Sequence, residues 1–212
     1  MNERAAVLGY RWVMVGVLWL IHALAFMNIS GLGILAPFIK ADLQLSSFQI
    51  GFLISALSIG ASLIQMPAGL LTDFAGVRLM LTLGIGSVGF CLALFSLAPT
   101  YSIALLVLLI YGLANGIIGP AASKSILDWF PVVGRATAMG VKQTGVNFGG
   151  ILAGILLPAL AITLSWRHSL LAIGLIEVSV AVLIYRLIKE APLRPGSSLS
   201  PLAWKKILHV AM

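Results

Sequence analysis

Six stretches of this sequence are predominantly apolar over about the length that crosses a membrane. They cover approximately Trp12–Phe38, Phe48–Leu71, Leu79–Leu97, Ile103–Ile126, Ala136–Ile162 and Ser169–Leu187. A transmembrane helix needs about 20 such residues, because the hydrocarbon core of a bilayer is about 30 Å thick. The runs lack the two-residue alternation of barrel strands, and lipid demands that each segment pair its own backbone. The sequence therefore predicts an all-α membrane protein with six transmembrane helices.

The charged residues predict how these helices are oriented. Of the 212 residues, 60% are hydrophobic and only 9% are charged, which excludes an ordinary soluble domain. The net charge of +7 would suit a nucleic-acid-binding protein if the chain were soluble. In a membrane protein, the positions of the basic residues along the chain determine what this charge indicates. With a cytoplasmic N-terminus, every Lys and Arg except Lys40 and Arg167 lies at or near the cytoplasmic side. The positive-inside rule then predicts that both termini are cytoplasmic, with lipid and not nucleic acid as the surroundings.

The composition changes after the sixth apolar stretch. The segment "EAPLRPGSSLSP" is rich in Pro, Gly and Ser, which is typical of a flexible linker, and "LAWKKILHVAM" follows it. The second segment is too short to span a membrane, so it is either an interfacial amphipathic stretch or the first turns of a further helix. We expect a six-helix bundle over residues 1–189, followed by a cytoplasmic linker and short amphipathic tail over residues 190–212.

The stretch "GLLTDFAGVRLML" places an acid, a base and two glycines between the second and third helices. The spacing Gly69-x-x-x-Asp73-x-x-Gly76-x-Arg78 resembles the cytoplasmic loop signature of the major facilitator superfamily. In that family the acid and the base form a salt-bridge latch to the opposite half of the transporter, and the glycines permit a tight turn. The resemblance implies a conformational gate at these four residues. Arg135, in the loop before the fifth helix, is added to this gate.

The resemblance extends over the rest of the apolar region. Residues 112–150, including Trp129-Phe130-Pro131, are similar to the fourth and fifth helices of anion and organic-acid members, and "SWRHSLLAIG" resembles the entry to their sixth helix. Members of this family usually contain two six-helix halves, each a 3+3 helix repeat, with substrate bound between the halves near the midplane. The resemblance implies that this chain supplies one half. A second six-helix half, from a separate chain or a second copy, is the expected partner.

Polar residues inside the apolar stretches are the candidates for substrate contact. Tyr111 and Asn115 are four residues apart and share a helix face, which by resemblance lines the central cavity. Lys142 lies about 9 Å into the fifth helix, where it either snorkels to the interface or supplies positive charge to the cavity. The predicted substrate-binding residues are Tyr111, Asn115, Lys142, Gln143, Asn147 and Asn28.

Two titratable residues are candidates for proton coupling. His22 on the first helix changes charge near neutral pH, although a membrane histidine also serves as a packing donor. Glu177 lies in the middle of the sixth helix, where a charge is costly and functional by default. A protonated structural role for Glu177 stays open.

The sequence favours transport over catalysis. Ser30 and His22 could suggest an intramembrane protease, but the Gly-x-Ser-Gly context of such a nucleophile is missing. The sequence shows neither a Cys/His metal cluster nor a phosphate-binding glycine loop, so we expect no metal and no cofactor. We expect half of a secondary active transporter in the cell inner (plasma) membrane, moving a small organic anion by alternating access with proton coupling. The alternatives are an efflux or neutral-solute transporter half, or a non-transporting scaffold or truncated product.

Overall fold

Six helices make up the described part of the molecule. The computed structural model of the chain describes residues 2–189, with side chains from residue 9 onward. The helices are α1 Asn2–Asp42, α2 Ser47–Ala75, α3 Val77–Ser96, α4 Tyr101–Trp129, α5 Val132–Leu164 and α6 Trp166–Leu187. All six are long and apolar enough to cross a membrane, which confirms the predicted all-α membrane architecture. The predicted linker and tail, residues 190–212, lie outside the described residues.

The helices run alternately up and down, so the bundle has two ends. The "Asp73 end" holds the starts of α1, α3 and α5, and the "Asp42 end" holds the starts of α2, α4 and α6. The connections are short, and two of them are a single residue, Gly76 between α2 and α3 and Ser165 between α5 and α6. Short connections of this kind make consecutive helices antiparallel.

The first three helices and the last three form matching, inverted units. The closest packing joins α2 to α4, α1 to α5 and α3 to α6, a pattern that is unchanged when the two units are exchanged. The two single-residue turns also match, with φ 85° and ψ 155° at Gly76 and φ 87° and ψ 154° at Ser165. This backbone region favours glycine, so Ser165 holds a conformation that costs about 1–3 kcal/mol. The structure thus has the expected 3+3 repeat.

An arginine at the start of α3 and another at the start of α6 fasten these two helices together. Arg78 Nε donates to the carbonyl of Tyr185 in the last turn of α6, at 2.6 Å. In the mirrored position, Arg167 Nη1 donates to the carbonyls of Ser96 and Ala98 at the end of α3, at 2.8 and 3.0 Å. Each guanidinium satisfies carbonyls that a helix end leaves unpaired, and its charge complements the negative end of the helix dipole.

Glycines let the paired helices approach backbone to backbone. A β-carbon at Gly112 would clash with the carbonyl of Leu57 on α2, and one at Gly149 would clash with the carbonyl of Ala23 on α1. Close backbone approach of this kind drives helix association in a membrane. Lipid is as apolar as the side chains, so moving an apolar side chain from lipid to a helix contact gives little free energy. The α2–α4 and α1–α5 pairs are therefore tightly packed.

Candidate functional site

A crevice of about 160 Å³ lies between the α1–α5 pair and the α2–α4 pair. Its walls are mostly small and apolar residues of these four helices. Three polar side chains line it, namely His22 from α1, Gln65 from α2 and Asn115 from α4. A concave, largely apolar space with a few convergent polar groups is the usual form of a small-molecule site.

His22 presents one ring nitrogen to this crevice as an acceptor. Its Nδ1 lies 2.8 Å from the carbonyl oxygen of Leu18, one turn earlier on α1. A carbonyl can only accept, so Nδ1 carries the hydrogen in this contact. In the neutral ring, Nε2 is then the acceptor that remains for a proton or a ligand hydroxyl.

Lys142 is the cation nearest to this crevice. It lies one helical turn before Val146, which lines the crevice, and it interacts electrostatically with His22. Its side chain is only 6% exposed, and it makes neither an ion pair nor a hydrogen bond with any residue in the described range. The four described carboxylates, Asp42, Asp73, Asp128 and Glu177, all contact other residues. A largely buried lysine without a counter-ion is costly, so this position favours an anionic ligand.

The other predicted substrate-binding residues lie in two different surroundings. Tyr111 and Asn28 are enclosed in the core and do not line the crevice, although Asn115 on the same face as Tyr111 does. Gln143 and Asn147 are exposed on α5. The structure therefore brings Asn115, Lys142 and His22 to one place and separates Tyr111 and Asn28 from them.

The predicted gate residues occupy the Asp73 end. Asp73 pairs with Lys124 on α4, with Oδ1 and Nζ 2.6 Å apart, and Lys124 also lies 3.7 Å from Asp128. Gly76 forms the turn between α2 and α3, and this turn requires a positive φ, which glycine adopts without strain. A β-carbon at Gly69 would meet nothing within 4 Å, so this glycine makes no close helix contact within the described bundle.

The two arginines of the predicted gate bind carbonyl oxygens. Arg78 reaches Tyr185, as described above, and its guanidinium also stacks over the Tyr185 ring at 3.9 Å. Arg135 lies in the first turn of α5, not in a loop, and donates to the carbonyls of Leu127 and Phe130 at the end of α4. Both residues therefore tie helix ends together within this bundle.

Two site residues were missed by sequence reasoning. Gln65 is an exposed amide in the apolar α2, and the rule that marks intramembrane polar residues as candidates would have found it. Lys124 pairs with Asp73, which lies 51 positions earlier in the chain. No periodicity in the sequence indicates a contact over such a separation.

Comparison with known proteins places the chain among transporters. The model of the Major Facilitator Superfamily matches residues 18–211. The chain is 30% identical over 175 residues to the hexuronate transporter of Bacillus subtilis (strain 168), covering 82% of this chain and 42% of that protein. It is 28% identical over 165 residues to the probable L-galactonate transporter of Escherichia coli (strain K12), covering 78% and 36%. It is 26% identical over 174 residues to the galacturonate transporter of Dickeya chrysanthemi, covering 80% and 49%.

A solved structure shows the same fold. The crystal structure of a bacterial homolog of the human lysosomal transporter Spinster, inward-facing and unoccupied, matches with a TM-score of 0.77 at 22% identity. The match covers 91% of this chain and 46% of that one. The chain thus spans less than half the length of these proteins. The relatives are transporters and not enzymes, in agreement with the sequence-based prediction, and the matched family model covers most of the chain. The chain belongs to the Major Facilitator Superfamily.

Proposed function

We propose that the chain forms one half of a secondary transporter that moves a small organic anion by alternating access. The observation that carries this proposal is Lys142, a nearly buried cation beside the crevice with no counter-ion among the described residues. A carboxylate bound there would form charge-assisted hydrogen bonds, which are about twice as strong as neutral ones. Asn115 and Gln65 would then meet the hydroxyl groups of the same solute.

The names of the relatives agree with this chemistry. Hexuronate, L-galactonate and galacturonate each combine one carboxylate with several hydroxyl groups. Such a molecule needs one cation and several neutral hydrogen-bonding groups. The residues that meet in the crevice region are one lysine, two amides and one histidine, which is a set of that kind.

A second six-helix half is part of the proposal, whichever polypeptide carries it. Gln65, Gln143 and Asn147 are exposed polar side chains on α2 and α5. Polar groups that face lipid are costly, so this surface requires water or a polar partner. Major facilitator halves enclose substrate between them near the midplane, and a facing half would turn the crevice into a closed site.

The proposed substrate class is tested by equilibrium binding in membrane nanodiscs that retain any second half. The probes are galacturonate and its methyl ester, which have nearly the same shape and differ in charge. We expect the acid to bind at least tenfold more tightly than the ester, because a charged hydrogen bond contributes about 1.5–3 kcal/mol. Equal affinities would contradict the anion proposal and favour a neutral-solute transporter.

We assign proton coupling to His22, because it lines the crevice, where a bound anion would offset the charge of the nearby Lys142 and so favour a proton on the imidazole. In vesicles that contain the native complex, an inward proton gradient should drive galacturonate uptake. The variant His22→Gln keeps a hydrogen-bonding side chain but cannot take up a proton. We expect it to lose gradient-driven uptake and to retain exchange of labelled for unlabelled substrate.

The matched control is His168→Gln. His168 also contacts the carbonyl four residues earlier, at 3.0 Å, but it is exposed at the Asp42 end. This variant should behave like the unaltered protein. Gradient-driven uptake that persists in His22→Gln would remove the histidine from the coupling mechanism.

The gate and the orientation remain proposals of the same kind. Asp73 with Lys124 sits at the end of the bundle from which a latch could reach a second half. Among the described residues, the basic side chains concentrate at this Asp73 end, with only Lys40 and Arg167 near the Asp42 end. This distribution supports a cytoplasmic Asp73 end in a cell inner (plasma) membrane.

A further inference from the structure

A second polar cluster lies in the core, apart from the residues that line the crevice. Asn28 on α1 donates its Nδ2 hydrogen to Glu177 Oε1 on α6, at 2.6 Å. Asn28 is 1% exposed and Glu177 is fully enclosed. Asn28, Glu177 and Tyr111 are not among the residues that line the crevice. The cluster is therefore separate from the proposed substrate site.

Three polar atoms of this cluster have no hydrogen-bond partner. They are Asn28 Oδ1, Glu177 Oε2 and the hydroxyl of Tyr111 on α4. The amide oxygen can only accept, and the oxygen of an ionised carboxylate can also only accept. Neither of these two acceptors can satisfy the other. A single hydrogen on Glu177 Oε2 removes this mismatch, because that oxygen then becomes a donor.

The surroundings of Glu177 supply no positive charge. The groups that face it are Asn28 from α1, Tyr111 from α4 and Gly89 from α3, with Cys91 of α3 close to Tyr111. None of these is a cation, and no ion pair to Glu177 occurs within residues 9–189. An ionised carboxylate with one hydrogen bond in such a place is strongly disfavoured.

We propose that Glu177 is a proton-binding site, and that its carboxylic acid forms a reciprocal pair with the amide of Asn28. In this pair, Asn28 Nδ2 donates to Glu177 Oε1, and Glu177 Oε2 donates its proton to Asn28 Oδ1. The phenol of Tyr111 then donates to one of the oxygens of the same pair. This proton is distinct from the one assigned to His22, since its site joins α1 to α6 and does not line the crevice.

Infrared spectroscopy of the full chain in nanodiscs tests this site without any assay of transport. The sequence has only six Asp and Glu residues, so a protonated carboxylic acid should give a resolved C=O band. We expect this band at neutral pH from Glu177, which has no cation beside it among the described residues, whereas Asp42, Asp73 and Asp128 are each paired with one. Labelling glutamate with ¹³C should shift the band, which identifies it as glutamic acid without any substitution.

Two variants and a control assign the band to the pair. Glu177→Gln should abolish the band and change the melting temperature little, because a Gln–Asn pair also exchanges two hydrogen bonds. Asn28→Ala should move the band to higher frequency, since the acid loses its partner, and it should lower the melting temperature. Asp128→Asn, at the Asp73 end, should leave the band unchanged.

Three results would overturn the proposal. The first is a spectrum without a carboxylic-acid band at neutral pH. The second is a band that neither glutamate labelling nor Glu177→Gln affects. The third is a melting temperature that rises steeply with sodium concentration and loses this dependence in Glu177→Gln, which would show a cation in place of the proton. Because no substrate is involved, failure here leaves the proposed transport function untouched.

Discussion

Replacing Gly149 by valine is expected to prevent the bundle from folding to its native packing. Gly149 on α5 lies against the backbone of α1, where an added β-carbon would clash with the Ala23 carbonyl and lie 3.0 Å from Met27 N. Backbone atoms cannot move aside as a flexible side chain can, so the two helices must separate. Overpacking typically costs about 1–3 kcal/mol, and we expect this variant at or above the upper limit.

The control for this prediction lies on the same helix. A β-carbon at Gly154 would meet nothing within 4 Å, so Gly154→Val introduces the same side chain without the clash. We expect Gly149→Val to melt at a clearly lower temperature or to elute as an aggregate in size-exclusion chromatography, with Gly154→Val unchanged. Equal stability of the two variants would show that the α1–α5 contact is not as close as the structure has it.

The number and kind of elements could be predicted because hydropathy is a local property. Each apolar stretch became one helix, and every helix begins before its predicted start. Four helices also end later than predicted, whereas α3 ends at Ser96, one residue before the predicted end, and α6 ends at Leu187 as predicted. The first was predicted from Trp12 to Phe38 and occupies Asn2–Asp42, because a helix does not end where its apolar part ends. The fifth begins at Val132 and not at Ala136, since Pro131 has the extended conformation of a helix N-cap and favours a helix directly after it.

The site could be predicted only in part. The spacing of residues shows which of them share a face of a helix, but it does not show which other helices pack against that face. Tyr111 and Asn115 share a face of α4, as their spacing indicates, yet they differ in depth by about 6 Å along the helix. That difference places Asn115 in the crevice and Tyr111 in the enclosed core. The contact of Asn28 with Glu177 joins residues 149 positions apart, and only the folded structure shows it.

The arginines illustrate the same limit. The motif that contains Arg78 suggested a latch to another half, and the structure gives this side chain a partner on α6 of its own bundle. Arg167, which matches Arg78 in the inverted repeat, received no role from the sequence. The repeat that the resemblance implied is seen in the matching turns at Gly76 and Ser165 and in the symmetric packing of the helices.

The second large effect is expected from Lys142→Gln, which removes the positive charge and keeps a side chain of similar length. In the binding assay described above, galacturonate should bind about 10- to 100-fold more weakly, because charged hydrogen bonds contribute about 1.5–3 kcal/mol and each tenfold change is 1.4 kcal/mol. The uncharged methyl ester should bind almost as it does to the unaltered protein. The preference for the acid over the ester is therefore the quantity that should disappear.

Two further variants separate charge from shape at this position. Lys142→Arg keeps the charge but places a larger planar group where the lysine is only 6% exposed, so we expect it to retain the preference for the acid at reduced affinity. Lys40→Gln removes a cation that is exposed at the Asp42 end and should change neither affinity. If Lys142→Gln keeps the full preference for the acid, the lysine does not contact the carboxylate. The anion would then have to be recognised by a cation of the second half, and this bundle would contribute only the neutral wall of the site.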